Sequence, residues 1–120
     1  MTYCLAINTD QGLVFCSDSR TNAGFDNIST YSKMHSFVWP GERTFVLLSA
    51  GNLATTQAVV KRLWSDIEEA AQVNLRSVPN MLAASDYIAS ISAAVQKQHT
   101  ERDIANTNFE ATFIFGGQVG

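Results

Sequence analysis

Phe45-Val46-Leu47-Leu48-Ser49-Ala50-Gly51-Asn52 is the stretch on which the reading of this sequence turns. Its four consecutive apolar residues suit a strand buried on both faces. Beyond Gly51 the spacing becomes helical. Val60, Leu63, Ile67 and Ala71 recur at intervals of three and four, opposite Lys61, Arg62, Ser65, Asp66, Glu68 and Glu69. Gly51 thus marks a junction between strand and helix, and strand spacing returns near Asn108.

Working upstream, residues 33–38 and 44–49 read as a strand pair joined by the turn Trp39-Pro40-Gly41-Glu42. Residues 20–30 are polar, contain Gly24 and two asparagines, and read as a loop. Residues 2–8 and 13–17 suit a first hairpin around Thr9-Asp10-Gln11-Gly12. Both faces of that hairpin are largely apolar, so it is expected to be covered on both sides. Even positions carry Thr2, Cys4 and Ala6, then Val14, Cys16 and Asp18; a turn centred on Asp10 and Gln11 would bring Thr2 near Asp18 on that small-residue face.

Downstream, a second helix is expected over residues 80–101, capped by Asn80 after Pro79, with Tyr87, Ile88, Ile91 and Val95 on its buried face. Residues 109–115 return to strand spacing, and Gly116-Gly117 is expected to begin a turn. The order is four strands, two helices and one strand, within a single domain over residues 1–120. That is an α+β chain of antiparallel sheets with one two-helix layer. A hairpin needing cover on both faces has received one helical layer, which predicts half of a larger sandwich.

Composition excludes several function classes. The chain has 120 residues, 46% of them hydrophobic, and a formal net charge of −3. Its eight Lys and Arg residues are scattered, so there is no basic patch for nucleic acid. No apolar run approaches the roughly 18–20 residues of a membrane span, and no basic, apolar leader opens the chain. The expectation is a cytoplasmic protein. Cys4 and Cys16 are then reduced core thiols, although a hairpin would also permit a disulfide between them. There is no His/Cys/Asp/Glu ligand cluster and no phosphate loop, so no metal and no cofactor are implied.

Thr2 is the main candidate for chemistry. Methionine before a small residue is readily trimmed, and trimming would give Thr2 a free α-amino group. With a reference pKa near about 7.7–8.0, that amine can take the proton of the hydroxyl beside it. Threonine is also common at this position for processing alone. Asp18, Ser19 and Arg20 follow the second strand, either as a solvated strand end or as part of a site. Lys33 is the only lysine in the β portion; near Thr2 its charge would favour the deprotonated amine and hydroxyl, held there by Asp18. The backbone at Ser49-Ala50-Gly51-Asn52 can supply an oxyanion donor, and Gly51 can equally serve backbone conformation alone. His35 and His99 need no catalytic role.

Taken in order, these features resemble proteasome β-type subunits and the peptidase of the bacterial two-component ATP-dependent protease. An N-terminal threonine precedes an apolar strand, a turn and a strand ending in Cys16-Ser17-Asp18-Ser19-Arg20. Ala23-Gly24, the Lys33 strand, and Leu48-Ser49-Ala50-Gly51 before a helix with Thr55-Thr56-Gln57-Ala58 follow. The wording Ser17-Asp18-Ser19-Arg20-Thr21-Asn22-Ala23-Gly24 and Ser49-Ala50-Gly51-Asn52-Leu53-Ala54-Thr55-Thr56-Gln57 most nearly resembles the bacterial branch called Anbu, the ancestral β-subunit-like proteins.

The resemblance implies the N-terminal half of an αββα four-layer sandwich of N-terminal-nucleophile (Ntn) hydrolases. It implies a threonine peptidase or amidohydrolase working through an acyl-enzyme, with Thr2 as nucleophile. Asp18 and Lys33 would be its charged supports, Gly51 the oxyanion donor and Arg20 a further site residue. Thr21, Asn22 and Gly51 would offer backbone groups to an extended peptide. Residues around Tyr31, His35, Ser49 and Leu53 would shape the pocket beside the cut. The family's remaining half supplies an aspartate and a serine near the nucleophile. Implied partners are a peptide or polypeptide substrate and further copies in a ring or open spiral; whether an ATP-dependent unfoldase joins them is left open by the resemblance. The alternative implied by the same resemblance is a non-catalytic assembly subunit.

Overall fold

The computed structural model describes residues 3–22, 28–30, 32–102 and 108–120. Among the described residues seven strands form three antiparallel sheets: β1 (Cys4–Thr9) with β2 (Gly12–Ser17), β3 (Arg20–Asn22) with β4 (Ile28–Thr30), and β5 (Met34–Trp39), β6 (Arg43–Gly51) and β7 (Ala111–Val119) in that spatial order. Two helices, α1 (Leu53–Glu68) and α2 (Met81–Arg102), separate β6 from β7.

Side-chain alternation sorts these elements into three layers. The odd residues Phe37, Phe45 and Leu47 point to the helices and, with Val59, Leu63, Leu75, Ala84, Ile88 and Ile91, form the core. Phe45 stacks on Phe115, and Phe37 lies against Trp64. The even residue Leu48 is fully buried yet stands outside that cluster, on the opposite face of β6. There the β1–β2 hairpin lies: a Cβ on Gly116 of β7 would come within 2.7 Å of the Phe15 ring. The middle sheet is thus covered by helices on one side and by the hairpin on the other. Its central strand is the predicted doubly buried run.

Several local expectations fail for identifiable reasons. Residues 20–30 contain the short pair β3–β4 in place of an unbroken loop; three-residue strands are too brief to leave a period in the sequence. The hairpin register pairs Thr9 with Gly12 and Cys4 with Ser17, so odd residues of β1 share a face with even residues of β2. The expected small-residue face therefore splits. Cys4, Ala6 and Phe15 turn inward, while Leu5, Ile7, Val14 and Cys16 turn outward. That outer face is bare within this chain: Ile7 is 45% and Val14 52% exposed. Cys16 is exposed and Cys4 partly buried, both as free thiols, so neither is a core cysteine.

Gly116 and Gly117 do not begin a turn. They lie inside β7, which pairs with β6 from Ala111 opposite Gly51 to Val119 opposite Arg43. Both are places of close approach, where a side chain on Gly117 would strike the backbone at Thr44. Helix α1 stops before Ala71. Ala70 takes a positive φ of 50°, and the Ala70 and Ala71 N–H groups turn back to Ile67 O and Asp66 O, closing the last turn. Asp66, expected on the polar face, is buried; it accepts Tyr87 Oη–H at 2.7 Å and Arg62 Nε–H at 3.1 Å. Burial and that acceptor both push the Tyr87 phenol upward. Asn80 caps α2 as its position predicts, accepting the Ala83 N–H at 2.8 Å.

Candidate functional site

The site gathers where the hairpin crosses the end of the middle sheet. Asp18 follows β2 directly and closes the hairpin beyond its ladder: its N–H donates to Tyr3 O at 3.0 Å, and its Oδ1 accepts the Tyr3 N–H at 2.8 Å. Its other oxygen, Oδ2, lies 3.1 Å from Lys33 Nζ. The Tyr3 amide, then the Lys33 ammonium, hold the Asp18 carboxyl below the usual carboxylate range. The carboxylate is a third exposed, while the Lys33 side chain is only 10% exposed. A buried ammonium needs such a partner, because leaving water favours its neutral form.

Lys33 is fixed in turn by β6. Its carbonyl accepts the N–H of Ser49, which is buried, and the Ser49 carbonyl accepts the Cys4 thiol at 3.5 Å. One short stretch of β6 thereby touches both the Lys33 strand and the first strand of the hairpin. Burial raises the Cys4 thiol, Asp18 raises it further and Lys33 opposes, so the group stays a neutral donor.

Gly51 ends β6 with φ of 105°, a left-handed conformation that side chains resist. A Cβ there would also fall 2.6 Å from Glu110 O. The next residue's N–H donates to Glu110 O at 2.9 Å, which makes Gly51 and Ala111 a non-hydrogen-bonded pair of the β6–β7 ladder. The Gly51 N–H is consequently directed away from β7. It emerges on the side where Ser49 N–H meets Lys33 O, beyond the last β5–β6 pair, Met34 with Leu48.

The remaining sequence candidates are dispersed. Arg20, Thr21 and Asn22 form β3, just after Asp18, with backbone partners Thr30, Ser29 and Ile28. His35 stands on β5 opposite Leu47, half-buried, and burial lowers its imidazole pKa. Its parity matches Phe37, on the helix side of the sheet. Leu53 opens α1, two residues past Gly51. Thr2 and Tyr31 lie outside the described residues. The structure therefore brings together Asp18, Lys33 and Ser49, with Gly51 two residues further along β6. Sequence reading missed Tyr3 and Cys4 as backbone and thiol partners, and Asn52 and Thr55 as anchors behind Gly51. The N-cap position of Asn52 was the available signal. Among the described residues no group of three His, Cys, Asp or Glu could hold a metal ion, and no helix is long and apolar enough to cross a membrane.

Comparison with known proteins gives one consistent result. No protein-family model and no curated protein matches the chain. Solved structures do. The chain is similar to Anbu from Pseudomonas aeruginosa, solved as a helical assembly of the Anbu complex, with 39% identity and a TM-score of 0.90. It is similar to Anbu, the ancestral β-subunit, from Yersinia bercovieri, with 40% identity and a TM-score of 0.87. An Anbu mutant from Hyphomicrobium sp. strain MC1 gives 41% identity and a TM-score of 0.85. Each match covers 99% of this chain and 48% of the other, so the chain spans about half the length of these relatives.

Proposed function

We propose, for a chain that belongs by sequence and fold with the Anbu proteins, that Thr2 freed of Met1 is the nucleophile of a threonine-type peptidase or amidohydrolase. The observation that carries this reading is the clasp of Asp18 on the Tyr3 backbone and on Lys33. Tyr3 is joined to Thr2 by one peptide bond, so the residue that anchors the start of the hairpin also brings a cation with it.

In this mechanism the α-amino group of Thr2 takes the hydroxyl proton, and Oγ1 attacks a carbonyl carbon of the substrate. Lys33 lowers the cost of the developing alkoxide, and Asp18 holds the ammonium in place. The carbonyl oxygen, now an oxyanion, is received by the Gly51 N–H. The amine leaves with the transferred proton, and water then releases the acyl group from Thr2. Arg20 is proposed as a further site residue. Thr21, Asn22 and Gly51 offer main-chain groups to an extended substrate, with Tyr31, His35, Ser49 and Leu53 around its side chain. The substrate class is a peptide, polypeptide or small amide, acted on in the cytoplasm without metal or cofactor.

Assembly is a second part of the reading. The Pseudomonas aeruginosa relative is a helical assembly, which supports further copies of this chain as partners in a spiral or ring. A purely structural subunit would build the same assembly with no use for a free Thr2 amine. Substituting Thr2→Ala in the full-length protein separates the two. Amide hydrolysis is expected to fall by about 10³-fold or more with assembly size unchanged. Unchanged hydrolysis would defeat the nucleophile, and loss of assembly in parallel would favour the structural role.

A further inference from the structure

Three consecutive carbonyls on the approach to β7 are taken by the first turn of α1. Asn108 O accepts Asn52 Nδ2–H at 3.2 Å, Phe109 O accepts the Thr55 hydroxyl at 2.9 Å, and Glu110 O accepts the Asn52 N–H at 2.9 Å. Asn52 serves twice, because its Oδ1 also caps the helix through the Thr55 N–H at 3.0 Å. Thr55 is completely buried. With its proton committed to Phe109 O, its oxygen faces His99 Nδ1 at 3.4 Å as an acceptor. His99 in turn packs edge-on against the Phe109 ring.

A valine would fill the same volume as Thr55 without carrying a hydroxyl out of water, so the hydroxyl must recover that desolvation through its bond. What the bond holds is the segment whose Glu110 O would lie only 2.6 Å from a Gly51 Cβ. The Gly51 peptide is therefore braced from behind by 108–110, and its N–H points forward, away from β7. An oxyanion donor must lie about 2.7–3.1 Å from the developing charge, so a small swing costs rate more than binding. We infer that Thr55 is a positioning residue: through the latch on 108–110 it sets the direction of the Gly51 amide. This rests on the reading of Gly51 as oxyanion donor.

The test uses Thr55→Val, Thr55→Ser and Asn52→Asp in the full-length protein. Asn52→Asp keeps the acceptor that caps α1, removes the donor to Asn108 and adds a negative charge, so Thr55→Val serves as the charge-free arm. Amide hydrogen exchange at Asn52, whose N–H is bonded to Glu110 O, is read beside steady-state hydrolysis of a peptide substrate. Exchange at this amide is expected to accelerate by about tenfold in Thr55→Val and Asn52→Asp. Their kcat should fall by about tenfold with KM within about twofold, and Thr55→Ser should restore both readouts to within about twofold of the parent. Unchanged exchange in Thr55→Val and Asn52→Asp overturns the latch. Faster exchange with unchanged kcat, or a loss carried by KM, overturns its link to Gly51. Should Thr55→Val fail to fold, Asn52→Asp and Thr55→Ser decide the matter alone. A parent protein that hydrolyses nothing defeats the proposed function and the role of Thr55 in it, while exchange still reports whether the latch exists.

Discussion

The two sides of the middle sheet use the same kinds of residue to opposite effect. On the helix side Phe45, Leu47 and Leu63 are fully buried; on the outer face of the hairpin Leu5, Ile7 and Val14 are 37%, 45% and 52% exposed. The helix side holds the fold, and the proposed chemistry is divided between Asp18 at the end of the hairpin and Lys33 and Gly51 at the end of the middle sheet. Asp18 reaches across from the hairpin to Lys33, so the site sits on the seam between a packed region and an open one.

Paired truncations test that division most strongly. Leu63→Ala is expected to lower unfolding stability by about 2–5 kcal/mol, because a cavity forms in a fully packed core. Ile7→Ala should cost about 1 kcal/mol or less, since its side chain gives up little buried area. Urea midpoints of the 120-residue chain measure both. An equal cost at the two positions would show that the outer face of the hairpin is covered in solution.

A smaller effect sharpens the seam. The folded Asp18 carboxyl has a lowered pKa, so its contribution is complete above the ordinary carboxylate value near about pH 4 and is lost as pH falls through the lower folded value. The stability difference between the parent and Asp18→Asn should hold constant from about pH 7 to 5 and shrink below about pH 4. Chemical denaturation across that range measures it. A difference independent of pH down to 2 would mean that Asp18 does not act as a carboxylate at the seam.

How much of this was legible in the sequence follows the same division. The run Phe45-Val46-Leu47-Leu48 and the helical periods gave the layers, because burial on one face leaves a period that can be counted. Asp18 and Lys33 were legible as types, the end of a strand and the only β-region lysine, and the ion pair joins them. The hairpin turn was legible, but its faces were misassigned. A turn centred on Asp10 and Gln11 pairs odd residues of β1 with even residues of β2, so equal parity does not mean a shared face. Asp66 was misread because a lone acid in a polar helical stripe does not announce its partner Tyr87, twenty-one positions away. Gly116 and Gly117 looked like a turn because a close approach between strands leaves the same glycines. The latch of Asn52 and Thr55 on 108–110 joins residues more than fifty positions apart, beyond any local pattern.

One measurement bears most directly on the proposed nucleophile: intact-mass analysis of the full-length protein, followed by peptide mapping after reaction with an amide-like electrophile. The account predicts a chain lacking Met1 and a single covalent adduct on Thr2, with Cys4 unlabelled because its thiol is held neutral. A retained Met1, or an adduct on Cys4 or Cys16 in place of Thr2, would contradict it.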